Sequence, residues 1–130
     1  QLFRKIMSVE QIVTTYFDQI ELKDTDYLPW DDAKSDMAYI LLRVPTAMLK
    51  DYVKFKGQNR ELPDGEEFWR ETRLVERLRN SGKYHGQGHE PLEDMLDFLG
   101  NNVQVEYCHI GDPEKIDISI TEFPAEFYED

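Results

Sequence analysis

Hydrophobic residues recur at helical spacing over most of the chain and change to strict alternation after Asn102. The first helical pattern follows Ser8, which can form a capping box with Gln11. Its apolar positions repeat three and four residues apart, and they are Val9, Ile12, Val13, Tyr16, Phe17 and Ile20. This pattern predicts an amphipathic helix that begins at Ser8.

The next apolar run is ambiguous between two kinds of element. A polar stretch over residues 21–27 leads to Pro29, and residues 30–44 then carry apolar side chains that fit a helical stripe ending at Pro45. The same residues also fit a buried strand over positions 38–44, because short apolar runs do not distinguish the two. We favour the helix.

Three further helices are predicted in the middle of the chain. Thr46 is expected to cap a short helix that ends before Gly57. Residues 63–82 form the strongest helical pattern, with acids in the first turn and arginines in the last, as the helix dipole favours. A third helix is expected to start at Pro91 and to end at Gly100.

The alternating pattern after Asn102 falls into two runs. Their apolar residues are Val103, Val105 and Tyr107 in the first run and Ile116, Ile118 and Ile120 in the second. A Gly-Asp-Pro sequence between the runs favours a turn, so the pattern predicts a β-hairpin with one apolar face. Because a lone hairpin is marginally stable in water, this face is expected to lie on the helices, or the hairpin to join a third strand.

Together these elements predict an α+β fold with four to five helices packed on a small antiparallel sheet that contains the C-terminal hairpin. No linker or internal repeat divides the chain, so residues 1–130 are expected to form one globular domain. Residues 1–6 are expected to be an added arm, since Met7 and Ser8 are typical of a natural start. The residues expected in the core are Phe17, Trp30, Leu41, Phe68, Val75, Leu96 and Ile118.

Charge is distributed unevenly along the chain. The net charge is −12, from 27 acidic and 15 basic residues. Residues 1–42 contain 8 acids and 4 bases, the basic segment 43–83 contains 7 and 10, and the acidic segment 84–130 contains 12 and 1. Such an excess repels phosphate backbones and attracts basic surfaces, so direct binding of nucleic acid is disfavoured. Alternatively, the acidic segment folds against the basic segment and is neutralised there, or faces water.

Two features of the acidic segment are candidate partner-binding sites. Four carboxylates recur at i, i+3, i+4 and i+7 on one helical face opposite the leucines, and they are Glu90, Glu93, Asp94 and Asp97. They form either a docking surface for a basic partner or a solvated face. The tail combines acids with aromatic residues, and its candidates are Glu126, Phe127 and Tyr128. Aromatic residues anchor interfaces and cores alike, so the tail either binds the partner or folds back onto the domain.

Two other clusters suggest different functions. His85 and His89 lie four residues apart and precede several acids, a pattern that could hold a divalent metal in a metal-dependent enzyme or a metal sensor. The glycines between them break the helix that would align the two imidazoles, so this function is the alternative. Arg70, Arg73 and Arg77 form a basic stripe that could hold a phosphate. An acid four residues before Arg70 shares its face, which favours an intrahelical salt-bridge surface instead.

The composition narrows the class of protein. No apolar run reaches the roughly 18 residues that a membrane span needs, so no membrane association is expected. The single cysteine, Cys108, excludes an internal disulfide and fits a reducing cytoplasm. No cofactor-binding or catalytic motif is present, so we expect no cofactor. The sequence therefore predicts a cytoplasmic, non-enzymatic acidic protein that binds a basic, nucleic-acid-handling protein as an inhibitor, immunity protein or regulator, with a surface that imitates nucleic acid.

Overall fold

A computed structural model describes residues 8–29, 36–84, 89–97 and 102–123. The elements are α1 (Val9–Tyr16), β1 (Glu21–Pro29), β2 (Asp36–Pro45), α2 (Thr46–Lys56), α3 (Gly65–Thr72), α4 (Leu74–Ser81), α5 (His89–Asp97), β3 (Val103–His109) and β4 (Lys115–Glu122). A turn of 3-10 helix, Phe17–Gln19, joins α1 to β1. The strands form one antiparallel sheet in the order β1-β2-β4-β3. The predicted α+β class and its C-terminal hairpin, β3 and β4, are confirmed.

Helix α1 begins with the predicted capping box. The Ser8 hydroxyl accepts a hydrogen bond from the Gln11 backbone N–H at 3.1 Å, and the Gln11 side chain accepts one from the Ser8 backbone N–H at 2.9 Å. Ile12 and Val13 are buried against the rest of the core. Beyond the other end of α1, the Lys83 ammonium donates to three backbone carbonyls in and next to the 3-10 turn, which ties this turn to the end of α4.

Residues 36–45 form a strand, so the favoured helical interpretation of residues 30–44 is wrong where the structure describes them. The strand β2 is central and pairs with β1 on one side and β4 on the other. Its alternate residues Ala38, Ile40, Leu42 and Val44 are fully buried. Strand partners from distant parts of the chain decide the conformation here, and a local hydrophobic period does not contain that information.

The predicted helix over residues 63–82 is two helices, because the chain breaks at Arg73. Arg73 has left-handed backbone angles, φ 54° and ψ 41°, between α3 and α4. On one continuous helix Trp69 and Leu74 would point about 140° apart, whereas the break lets both side chains reach the core. The Arg77 guanidinium donates to the Thr72 carbonyl at 2.8 Å and so satisfies a group near the break.

The core lies between the helices and one face of the sheet. Of the predicted core residues, Phe68, Val75 and Ile118 are buried, whereas Phe17 and Leu96 are half-buried at its edge. Leu41 is half-buried and lies on the opposite face of the sheet, so its assignment to the core is wrong. Trp30 lies outside the described residues.

Helix α3 begins at Gly65, and at this residue it lies too close to strand β3 to leave room for a side chain. A Cβ at Gly65 would lie 2.4 Å from the Cβ of Val105 and 2.5 Å from its Cγ1. Just before this helix, the Tyr107 hydroxyl donates to the Pro63 carbonyl at 2.8 Å. The start of α3 is therefore fixed against β3 by both a close contact and a hydrogen bond.

Candidate functional site

The predicted acidic face lies on α5, which begins at His89, two residues before the predicted start at Pro91, and is described as far as Asp97. The predicted end at Gly100 lies outside the described residues. The Glu93 carboxylate accepts a hydrogen bond from Arg79 Nε at 2.9 Å, so this member of the face is engaged within the molecule by α4. The side chains of Glu90, Asp94 and Asp97 lie outside the described part of the structure, and their role stays a prediction.

The other predicted site residues fall outside the structure's description. They are Glu126, Phe127 and Tyr128 of the tail, and His85 with the side chain of His89 in the proposed metal loop. Across residues 8–29, 36–84, 89–97 and 102–123, no group of three or more His, Cys, Asp or Glu side chains is arranged to hold a metal ion.

The predicted basic stripe is a salt-bridge surface spread over two helices. Each of its arginines contacts a carboxylate, and the pairs are Arg70 with Glu66, Arg73 with Glu76, and Arg77 with Glu10. Because Arg73 occupies the break, the three do not share one helical face. Arg77 contacts both oxygens of Glu10, which joins α4 to α1. The guanidinium beside Glu10 lowers the pKa of that carboxyl through its hydrogen bond and its charge.

Lys56 at the end of α2 is also engaged by acids of the basic segment. Its ammonium lies 3.2 Å from Glu67 and 3.1 Å from Glu71 on α3. The buried Tyr52 donates its hydroxyl proton to Glu71 as well, and this hydrogen bond lowers the pKa of the Glu71 carboxyl. Burial, together with the nearby carboxylate, raises the pKa of the Tyr52 hydroxyl.

The basic segment therefore uses much of its positive charge on acids other than those of the acidic segment. Arg43 and Arg79 contact the acidic-segment residues Asp117 and Glu93. The other described pairs of Lys56, Arg70 and Arg73 are with acids of their own segment. Among the described pairs, neutralisation of the acidic segment by the basic one is thus partial.

Among the described residues, one face of the sheet contributes no side chain to the hydrophobic core, and it is called the open face below. Its residues lie opposite one another in three rows across the strands: Tyr39, Thr121 and Gln104; Asp24, Leu41, Ser119 and Glu106; and Glu21, Arg43, Asp117 and Cys108. Directly paired residues of antiparallel strands project to the same side, and these positions alternate with the buried ones. Tyr39 and Leu41 are half-buried and do not belong to the hydrophobic core.

The open face combines apolar, acidic and small polar side chains. Asp24 and Glu106 are exposed, and they flank Leu41 in the middle row. In the last row, Arg43 makes a two-point contact with Asp117, at 2.7 Å from Nε and 3.2 Å from the terminal nitrogen. The exposed thiol of Cys108 lies beside that pair. Sequence reasoning missed this surface because it assigned no strand to β1 and favoured a helix over the strand alternative for β2.

A second unusual feature is a carboxyl group inside the protein. Glu122 at the end of β4 is fully buried, and one of its oxygens accepts a hydrogen bond from Trp69 Nε1 at 3.3 Å. The other oxygen has no hydrogen-bond partner among the described residues. Burial raises the pKa of Glu122 to about 7, although the Trp69 hydrogen bond and the nearby Arg70 charge act in the opposite direction. This carboxyl therefore changes protonation state near neutral pH.

The surface cavities that the described residues line include a cleft and a groove. A cleft of about 240 Å³ lies at the break between α3 and α4, next to Trp69, and is lined by Arg70, Arg73, Val75 and Glu76. A groove of about 540 Å³ lies at the end of the sheet where β2 leads into α2, and its lining includes Tyr16, Glu21 and Lys115. Burial raises the pKa of Tyr16 to about 12, helped by its hydrogen bond to Asp51, so this hydroxyl keeps its proton.

None of the described helices combines the length and the apolar character that crossing a membrane requires. Comparison of the chain with protein families, with curated proteins and with solved structures finds no match. The geometry and charge of the described residues therefore carry the functional argument.

Proposed function

We propose that this protein is an acidic, non-enzymatic protein-binding module that docks on a basic surface of a nucleic-acid-handling protein in the cytoplasm, as an inhibitor, immunity protein or regulator. The proposal includes imitation of nucleic acid by the acidic surface. The single exposed cysteine fits a reducing compartment, which is the reason for the cytoplasmic location.

The observation that supports this proposal is the pairing of the arginines. Arg70, Arg73 and Arg77 would be needed to hold a phosphate, but each is already in contact with a carboxylate. A nucleic acid would have to displace these acids and would meet a net charge of −12. A basic protein would instead be attracted to the same molecule over long distances.

Binding of this kind has a recognisable kinetic signature. Exposed charges attract a basic partner before contact, which raises the association rate more than it slows dissociation. Salt screens that attraction over distances of about 8 Å at physiological ionic strength. Affinity should therefore fall with added salt, mainly through the association rate.

The experiment is a comparison of two amide variants in pull-downs at low and raised salt. The test variant, E90Q/D94N/D97N, neutralises the α5 face but keeps Glu93, because loss of that carboxylate would leave Arg79 without this partner. The control, D18N/E61Q/E114Q, changes the charge equally at exposed positions elsewhere. Circular dichroism verifies that both variants are folded.

We expect the wild type and the control to retain basic, nucleic-acid-binding proteins at low salt and to release them at raised salt. The α5 variant should retain much less, and its association rate with a partner identified in this way should fall about tenfold. If the two amide variants retain the same proteins and salt has no effect, the α5 face is a solvated surface and the proposed function fails.

A further inference from the structure

The open face of the sheet has the composition of an interface, and its position is independent of the α5 face. Resting on the proposed function, we propose that the open face is a second docking surface, which takes a basic polypeptide segment with an aliphatic side chain between two cations. The face has an apolar centre, acidic flanks and an arginine that is held by an aspartate.

The apolar centre lies on the two central strands. Leu41 and Tyr39 are partly accessible on β2, and their neighbours on β4 are Ser119 and Thr121, which are also half-buried. Their small side chains leave room for an aliphatic group beside Leu41, and a partner that covers them has to supply hydrogen bonds to their hydroxyls. The centre can thus accept an apolar anchor.

The flanks are acidic and lie on the edge strands. Asp24 on β1 and Glu106 on β3 belong to the same row as Leu41, and both are exposed. Since neighbouring strands are ~4.8 Å apart, the two backbones are separated by about 14 Å across the row. Two cations at about this separation, with an apolar group between them, would match the row.

Arg43 lies on the open face but does not make the charge of this face positive. Arg43 is held by Asp117 across β2 and β4. Its neighbour in the row on β1 is Glu21, which pairs with Lys23 and Lys115. An incoming lysine or arginine therefore meets carboxylates at the flanks and a neutral pair in the last row. A phosphate would meet the same carboxylates, and a second copy of this chain would bring a face of like charge.

The probe is a helical peptide with arginines eleven residues apart and leucines four and seven residues after the first. These four side chains share one helical face, and the arginines are about 16 Å apart along the axis. A matched peptide with glutamine in place of leucine has the same charge. Binding is measured by fluorescence anisotropy to the full chain.

Cys108 supplies a direct readout of the location, because it is the only cysteine and lies exposed on the open face. At a peptide concentration of about three times Kd, alkylation of its thiol should slow about fourfold if the bound state is protected. The D24N/E106Q variant should weaken binding about tenfold, and the control D18N/E61Q less than about twofold. The glutamine peptide should bind about tenfold more weakly than the leucine peptide.

Equal effects of D24N/E106Q and the control, an unprotected Cys108, or equal affinity of the two peptides would each overturn the open-face proposal. If E90Q/D94N/D97N loses the peptide and D24N/E106Q keeps it, the open face is not the docking surface and the proposed function stands. If neither peptide binds in a salt-dependent manner, the open-face proposal is overturned, and the pull-downs with E90Q/D94N/D97N still decide the proposed function.

Discussion

The indole of Trp69 donates a hydrogen bond to one carboxyl oxygen of Glu122 at 3.3 Å, while the other oxygen of this fully buried carboxyl has no partner in the described part of the chain. A buried carboxylate with an unsatisfied oxygen destabilises the fold, and protonation removes that cost. The contact between Trp69 and Glu122 thus makes the stability of the fold depend on pH.

We expect stability to fall as pH rises because the pKa of Glu122 is raised to about 7 in the folded state from an ordinary value of 4.5. Below pH 4.5 the carboxyl is protonated in both states and does not weaken the fold. Between pH 4.5 and 7 the unfolded state releases its proton first, so the free energy of unfolding falls by on the order of 2–3 kcal/mol. Glu122→Gln should remove this loss.

Urea denaturation of the wild type and of Glu122→Gln between pH 4.5 and 8 measures the difference between their free energies of unfolding. The contributions of the other titrating groups are the same in both proteins and cancel in this difference. Glu106→Gln on exposed β3 is the matched control and should keep the pH dependence of the wild type, because it retains Glu122. A stability difference between wild type and Glu122→Gln that stays constant across this range would contradict the assignment.

The left-handed conformation of Arg73 predicts an inverted order of glycine and alanine. In a helix interior alanine is more stable than glycine by about 1 kcal/mol. At φ 54° the order should reverse, with Arg73→Gly more stable than Arg73→Ala by about 1 kcal/mol, while both lose the same exposed contact to Glu76. Thermal or urea unfolding shows which of the two variants is more stable. If Arg73→Ala is more stable than Arg73→Gly, as in a helix interior, α3 and α4 are continuous in solution.

Gly65→Ala should destabilise the protein by about 1–3 kcal/mol or more, because the added Cβ would overlap the Val105 side chain. Glu66→Ala, one residue later on the exposed side, should cost less than about 1 kcal/mol through loss of its pair with Arg70. Urea midpoints of the two variants give the comparison. Similar losses would show that α3 lies farther from β3.

Ile118→Ala and Leu96→Ala should differ, although the sequence suggests that both residues belong to the core. Ile118 is 2% exposed, so its truncation should cost about 2–5 kcal/mol. Leu96 is half-buried at the edge of the core, and its loss should be well below that of Ile118. Urea unfolding of each variant tests the order, and equal losses would contradict the packing described for α5.

Sequence reasoning was most successful where local chemistry decides the conformation. The capping box of Ser8 and the alternation in β3 and β4 needed only neighbouring residues, and both predictions are confirmed. The strand β1 is rich in charged residues and lies at a sheet edge, so its sequence resembles a loop. The strand β2 depends on pairing with β4, which is remote in sequence.

The candidate site was harder to predict for two reasons. The open face exists only once β1 and β2 are placed beside the hairpin, so none of its rows is visible in a local pattern. The break at Arg73 uses a residue that rarely adopts positive φ, and no glycine marks it. Glu122 did leave a signal, because it follows Ile116, Ile118 and Ile120 at the same two-residue spacing and therefore points into the core.

The strand order also determines when the chain can fold during its synthesis. Ala38 pairs with Glu122 and Pro45 with Lys115, so the two central strands are separated by about 70 to 84 residues of sequence. The ribosome makes β4 after all the described helices, and until residue 122 emerges the apolar faces of β2 and the helices lack the isoleucines that cover them. Pairing at this distance is slow, and the waiting chain exposes apolar surface to chaperones and to aggregation. Folding is therefore completed only after β4 has left the ribosome.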